Sequence, residues 1–512
     1  MNKRGRGIVL SYIYTALNTV LGIFMSAFII RILGQIEYGV YQTMTSFLSY
    51  IVLFEFGTGT IMTRNISLCA KDGTEKEKIN KNVSTIMVIA LFLCIIILSA
   101  LVIFYLFIPS VYSKSLTASQ IKYGRILFAI VGIRAICAFL TQTMNGAILG
   151  FEKYSFQQIV KLIYLLVRTG LVITLILLTP YSLTIVIIDT SLSFVELFVV
   201  MYYCFIKLGL KIKLSLFDFS IFRMMLPLAF AMFLQTVVNM ANGNVDKFVI
   251  GVVMSPEAVS VYSVGLYIYT VFSSLTTIPI SMYMPQIAKN MKEGMSGFVL
   301  TKSLVQPCRL IAIIGGLILF GFVTVGKQFI VLVYGEQYVE AWLISIVIMG
   351  PMYINMCNGV LVNVLDVLRK RMSRSIFLLF TTIANIGLTI WWIVSWGMLG
   401  AAVATGICTL IGQDILMNIY YKKKININVV WLYLETFKGI LIPLIISSSL
   451  GFCVTYLFNN VLSQFFVGGI VFVVCFSFFY LLIGANNYEK DFLRKLTSKL
   501  IKKDRINMKT YK

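Results

Sequence analysis

Runs of about 20 apolar residues recur from one end of this chain to the other, with breaks between them too short to hold a soluble domain. A helix rises 1.5 Å per residue, so roughly 20 residues cross the ~30 Å hydrocarbon core of a bilayer. The pattern therefore predicts an all-α polytopic membrane protein. Cutting at charge clusters and Gly/Pro breaks gives about fourteen transmembrane spans: 8–30, 40–62, 83–108, 126–148, 157–178, 182–206, 222–243, 258–284, 304–326, 341–366, 375–396, 399–421, 437–458 and 464–484. Only 12% of the 512 residues are charged, about half the share expected of a soluble domain.

The net charge of +23 would suggest nucleic acid in a soluble protein, but here the placement of the charge decides. With the N-terminus inside, and with Arg223 and Lys438 at the inner edges of their spans counted as cytoplasmic, 33 of the 43 Lys and Arg fall on the cytoplasmic side and 6 outside; 4 (Arg134, Lys161, Arg168 and Arg309) lie deeper within spans. That asymmetry follows the positive-inside rule and predicts both termini in the cytoplasm. The basic loops and tail then face anionic lipid headgroups, and no nucleic-acid partner is needed.

Other chemistries are excluded by residue content. There is no His, so no His metal site or proton relay exists, and the nine Cys are scattered without a C-x-x-C pair. The run from Ile8 to Ile30 exceeds a signal-peptide core and lacks a small-residue cleavage site, so it reads as a retained first span. Gly321 to Gln328 resembles a phosphate-binding loop, but Gln328 stands where Ser or Thr is required, and no strand precedes it. Asn65 and Asn82 head glycosylation patterns in a loop placed inside the cell.

A weak repeat divides the chain. Arg31 to Gly34 with Tyr38 and Tyr41 is echoed by Asp246 to Gly251 with Tyr262, and Ile148 to Lys153 by Val364 to Lys370. The expected organisation is an N-terminal six-helix lobe (1–206), a C-terminal six-helix lobe (207–424), two further helices (425–486) and a basic cytoplasmic tail (487–512). Two pseudo-symmetric lobes in the same orientation imply a cavity between them.

A charge deep in a bilayer costs on the order of 3 kcal/mol or more, so each intramembrane polar stripe requires a reason. In the fifth span Gln157, Lys161, Tyr164 and Arg168 follow i, i+4, i+7, i+11 on one face, and the fourth adds Arg134, Thr141 and Asn145. Facing a cavity, these cations suit a pyrophosphate, Arg as a fork and Lys as a point charge; facing the sixth span, they pair with Asp189 or Glu196 instead. Those two acids, with Ser193 between, are candidates either for ion coupling or for neutralising the arginines. Gln235, Asn239, Asn242 and Asp246 line the seventh span, and amides of this kind suit sugar hydroxyls or interhelical hydrogen bonds. Asn355, Asn358 and Asp366 share a face of the tenth span, while Arg309 in the ninth stands alone.

Several stretches carry a family resemblance. They are Phe28-Ile-Ile-Arg31-Ile-Leu-Gly34 with Glu37-Tyr38-Gly39-Val-Tyr41, Phe56-Gly57 and Arg64; Val245-Asp246-Lys247 with Gly251, Pro256 and Tyr262; Tyr334-Gly335-Glu336 with Tyr338; and Gly397 to Thr405. In that order, from about residue 8 to 484, the chain resembles the polysaccharide transporter family of O-antigen and capsule-repeat flippases. That family lies within the superfamily of multidrug and lipid-linked oligosaccharide exporters. The motif residues themselves read mainly as turn and packing elements, with Gly34, Gly39 and Gly400 serving tight turns and close helix approach.

The resemblance implies a secondary transporter, not an enzyme, in the bacterial cytoplasmic (inner) membrane. It would flip a polyprenyl-pyrophosphate-linked oligosaccharide by alternating access, with membrane lipids around it and a polysaccharide polymerase or glycosyltransferases as partners. Arg134, Arg168, Lys161 and, by the resemblance alone, Arg31 are the expected pyrophosphate ligands. Gln157, Tyr164, Gln235, Asn239 and Asn242 are the expected sugar ligands, and Asp189 and Glu196 the candidates for a coupling Na+ or H+. No other cofactor and no metal is expected. The alternatives are a multidrug/cation antiporter of the same fold, which would favour an acidic cavity, and a lipid-II or spore-cortex type flippase. A membrane glycosyltransferase would need larger extramembrane loops than this chain has.

Overall fold

The structure, a computed structural model, describes residues 3–51, 55–71, 76–241, 245–368, 371–486 and 489–490. Among these residues the regular structure is entirely helical. The helices are α1 (Lys3–Ile51), α2 (Thr58–Lys71), α3 (Lys76–Val111), α4 (Ala118–Gly150), α5 (Tyr154–Leu178), α6 (Ser182–Tyr202), α7 (Phe219–Ala241) and α8 (Val245–Val253). They continue as α9 (Pro256–Lys292), α10 (Gly297–Val333), α11 (Glu340–Val367), α12 (Arg371–Cys408), α13 (Met417–Ile425), α14 (Val429–Phe437), α15 (Leu441–Thr455) and α16 (Val461–Phe479). A π-helical segment, Thr409–Leu416, joins α12 to α13.

Among the described residues ten helices are long and apolar enough to cross a membrane, or eleven if α14 and α15, bent by 44°, form one broken span. This count is lower than fourteen for a physical reason. Helix α1 and the α12–α13 stretch each run through two of the predicted spans and reverse at a glycine. Gly34 (φ 77°) and Gly397 (φ 56°) hold left-handed backbone that other residues resist. Helix α7 occupies the predicted seventh span, but it is not among the helices that meet the criterion.

Outward faces confirm the solvent. On α3, Phe92, Ile95, Leu98, Ile103, Leu106 and Phe107 are all exposed, a continuous apolar stripe that only lipid can cover. The inward face of the same helix (Val83, Ile86, Ala90, Ile97 and Ile108) is sealed against Leu127, Phe128 and Val131 of α4.

The chain divides into two compact units. One comprises Met1–Tyr267 with Met372–Cys408, the other Ile268–Arg371 with Thr409–Lys512. In the first unit the motif residues do packing work. A Cβ on Gly39 would overlap the Pro256 carbonyl, one on Gly146 the Gly59 carbonyl, and one on Gly400 the Trp392 carbonyl. Glu37, just past the Gly34 bend, accepts from Tyr123 Oη at 2.7 Å, from the Ser182 amide at 2.8 Å and from its hydroxyl at 3.0 Å. A carboxylate thereby caps the N-terminus of α6, where the helix dipole favours negative charge.

In the second unit the isolated Arg309 is a staple. Its guanidinium donates to the carbonyls of Glu435 (3.0 Å), Lys438 (2.8 Å) and Gly484 (2.9 Å), and grips Glu489 through Nε at 2.8 Å and Nη2 at 3.1 Å. Orphan carbonyls at the ends of α14 and of the segment after α16 are thus satisfied by one cation. Tyr480 Oη and the Asn486 amide also donate to Glu489. Burial pushes the Glu489 carboxyl up, but Arg309 and these donors outweigh it and hold the group below its ordinary value.

Two predictions follow from this packing. Gly39→Ala should destabilise the purified protein through overpacking, by about 1–3 kcal/mol, and so lower its thermal midpoint; an unchanged midpoint would show that α1 can shift away from Pro256. Arg309→Met should destabilise the second unit by about 3–5 kcal/mol, because the half-buried Glu489 is left without its cation and three carbonyls without their donor. Arg309→Lys should not restore it, since an ammonium lacks the planar fork. Because the Glu489 carboxyl is depressed in the folded state, its contribution is present above the ordinary carboxylate range and is lost as pH falls through that range. Thermal unfolding measured from neutral pH down to acid should show this loss in the wild type and not in Arg309→Met.

Candidate functional site

Three helices of the first unit bring Arg134 (α4), Arg168 (α5) and Asp189 (α6) into one cluster. Arg134 Nη1 donates to Asp189 Oδ2 at 2.8 Å; Arg168 donates through Nε to Oδ1 at 2.6 Å and through Nη2 to Oδ2 at 3.1 Å. The carboxylate is sealed, with 1% of its side chain exposed, while the two guanidiniums keep 26% and 23%. So Asp189 fixes both arginines from behind and leaves donors over. Arg134 Nε and Nη2 and Arg168 Nη1 have no acceptor among the described residues.

The rest of the polar stripe gathers around this core. Tyr41 of α1 and Tyr164 of α5 lie within electrostatic reach of all three members, and Tyr164 is within hydrogen-bonding reach of Ser193. One turn and more toward the other end, Glu196 is close to Lys161 and Arg134, and Tyr14 of α1 is close to Glu196. Lys161 is partly exposed and Gln157 is buried. Three cations and two acids leave the cluster with one net positive charge, inside helices that are otherwise apolar. The periodicity of α5 is the reason the sequence pattern worked: residues spaced by four and seven share one face.

Arg31 is exposed and lies on α1 just before the Gly34 bend, ten residues ahead of Tyr41. Gln235 and Asn239 are on α7. Asn242 lies outside the described residues, as does the basic tail apart from positions 489 and 490.

Two buried carboxylates emerge that the stripe analysis did not single out as sites. Asp246 at the start of α8 is fully buried and accepts from Tyr262 (2.7 Å) and Thr405 (2.7 Å) on Oδ2 and from Thr389 (3.1 Å) on Oδ1. Asn385 donates to Thr405 in turn at 3.0 Å. Two separate sequence motifs, the one around Asp246 and Tyr262 and the one ending at Thr405, therefore meet at a single side chain. The second acid is Asp414 in the π-helical segment, where Asn355, Asn358 and Tyr433 all donate to Oδ1. The signal that would have found it was simple, an acid within the twelfth predicted span. Among the described residues no group of three or more Cys, Asp or Glu side chains is placed to hold a metal ion.

Comparison with known proteins agrees with this architecture. A family model described as polysaccharide biosynthesis protein matches residues 28–343. No curated protein matches the chain significantly. Among solved structures, the lipid II flippase MurJ in an inward closed conformation superposes with a TM-score of 0.69 at 18% identity, covering 92% of this chain and 99% of its own. An inward-facing multidrug resistance MATE family transporter of the MOP superfamily gives 0.59 at 15% identity, covering 80% and 96%. A MATE protein in complex with MaL6 gives 0.51 at 12%, covering 83% and 98%. At these identities the likeness is one of fold, an all-α polytopic membrane fold shared with MurJ and MATE proteins. The matched family model spans more than half of the chain, and the chain belongs to the polysaccharide biosynthesis protein family.

Proposed function

We propose that this protein is a secondary transporter that flips a lipid-linked oligosaccharide, a polyprenyl-pyrophosphate surface-polysaccharide precursor, across the membrane by alternating access between two six-helix lobes. The observation that carries the reading is the Arg134–Asp189–Arg168 cluster. A buried carboxylate orients two partly exposed guanidiniums and leaves N–H donors of each without an acceptor among the described residues. Such a fork, in a low-dielectric bundle, suits the oxygens of a pyrophosphate. Lys161 adds a further cation on the same face of α5, about 10 Å along the axis from Arg168.

Asp189 and Glu196 balance two of the three cations, which fits charge compensation better than ion coupling. Gln157 and Tyr164 flank the cations on α5 and are proposed to meet the first sugar, with Gln235, Asn239 and Asn242 contributing from the seventh span. Arg31, exposed on α1 before the Gly34 bend, is proposed to serve substrate entry or exit. The net positive charge of the cluster disfavours the cationic-drug antiporter reading, for which an acidic site is needed. The membership in a polysaccharide biosynthesis family supports a sugar-bearing substrate over a drug.

The test starts in cells depleted of the protein, by mass spectrometry of extracted polyprenyl-pyrophosphate oligosaccharides. A completed repeat unit should accumulate on its lipid; an unchanged pool with new sensitivity to cationic dyes would point to the antiporter. In reconstituted vesicles, Arg134→Gln or Arg168→Gln should each weaken headgroup binding roughly ten- to hundred-fold, the worth of one charge-assisted contact of about 1.5–3 kcal/mol. Each variant still leaves Asp189 one guanidinium partner, so folding should survive. Asp189→Asn should instead lower thermal stability, because it strands two cations. Full transport by the Arg134→Gln/Arg168→Gln double variant would defeat the assignment.

A further inference from the structure

The hydrogen bonds around Asp414 are lopsided. Its side chain is 5% exposed, and two amides donate to Oδ1, Asn355 Nδ2 at 3.1 Å and Asn358 Nδ2 at 2.9 Å, while the single proton of Tyr433 Oη is shared between Oδ1 and the Ile354 carbonyl, each at 3.4 Å. The second oxygen, Oδ2, has no hydrogen-bond partner among the described residues. A bare, buried carboxylate oxygen costs its full desolvation penalty, so a native site that keeps one has a use for it.

The complementary vacancy is on the neighbouring amide. Asn358 is 3% exposed, and its Oδ1 is also without a partner. The orientation of this amide is not arbitrary. Asn358 Nδ2 donates at 2.9 Å to the Gln413 carbonyl as well as to Asp414, and a carbonyl accepts only from N–H. Nδ2 therefore faces the π-helical segment, and Oδ1 is an acceptor with nothing to accept. Two directly bonded side chains thus each hold one idle oxygen, and both are acceptors. A single proton on Asp414 Oδ2 converts one of them into a donor. Carboxylic acid and amide then pair through two bonds, N–H to Oδ1 and O–H to the amide oxygen.

We propose that Asp414 is a proton-binding site, carrying its proton on Oδ2 and donating it to Asn358 Oδ1. The charged form finds no compensation here. Among the described residues no Lys or Arg lies within ion-pair distance of Asp414. Among the described side chains the titratable groups on the packed elements are Tyr433 and Glu435 of α14, Tyr420, Tyr421 and Lys422 to Lys424 of α13, and Glu340 and Tyr353 of α11. Of these only Tyr433 reaches the carboxyl. The π-helical backbone at Thr409–Leu416 places the acid against α11, and single π turns of this kind recur at functional sites. Parting α11 from this segment would strip the proton of its acceptor and release it. Resting on the transporter reading, this makes Asp414 the coupling site for a proton gradient, in the unit that does not contain the arginine cluster.

The experiment is infrared spectroscopy on the purified full-length protein, titrated over pH in detergent. A protonated-carboxyl C=O band is expected at neutral pH in the wild type and absent from Asp414→Asn. Asn358→Ala, which keeps the acid but removes its acceptor, should shift that band, and it serves if Asp414→Asn fails to fold. A wild type that shows no band lost in Asp414→Asn and none moved by Asn358→Ala overturns the site. A band abolished by Na+ at fixed pH overturns the proton as occupant. For the coupling role, an imposed pH gradient should accelerate flipping by wild-type vesicles and not by Asp414→Asn, which should still equilibrate substrate downhill. Wild-type flipping indifferent to the gradient overturns coupling while leaving the proton site intact. Absence of any flipping activity defeats the transporter reading without touching the infrared result.

Discussion

Inside hydrocarbon no water is available to satisfy a charge or a backbone polar group, so each must find its partner within the protein. That constraint shapes the charged positions of this fold. Arg134 and Arg168 share one carboxylate, Arg309 gathers three carbonyls and Glu489, and Asp246 is wrapped by three hydroxyls. The differences between these solutions matter more than their common logic. Arg309 directs every contact inward to helix ends, as a structural pin does. The arginine pair is secured from one side only, as a binding group requires.

The family motifs divide along the same line. Gly34, Gly39 and Gly400, with Glu37 between, set bends, close approaches and a helix cap; they build the scaffold and touch none of the candidate ligands. Asp246 and Thr405 are motif residues too, yet they meet across the fold in one buried nest. The residues proposed to hold the headgroup, Arg134, Lys161 and Arg168, lie outside those motifs. The chain shares the scaffold of MurJ and MATE proteins at 12–18% identity.

Much of the fold was legible in the sequence because hydrophobic length is a local property. Twenty apolar residues announce a span without reference to anything else in the chain, and a four-and-seven spacing puts Lys161, Tyr164 and Arg168 on one face wherever the helix goes. The count of spans was less secure, because two glycine reversals, at Gly34 and Gly397, let helical backbone run almost unbroken from one span into the next.

What the sequence by itself determined is the membrane class, the helical architecture and the helix face on which each polar residue lies, since all three follow from composition and period. Only the tertiary structure decided the partners. Whether Arg168 would meet Asp189 or a ligand, whether Arg309 was a site or a staple, and that Asp414 would sit beside Asn358 with an idle oxygen on each, depend on which helices pack together. Such contacts join residues 21, 180 and 56 positions apart, a separation across which no local pattern carries information.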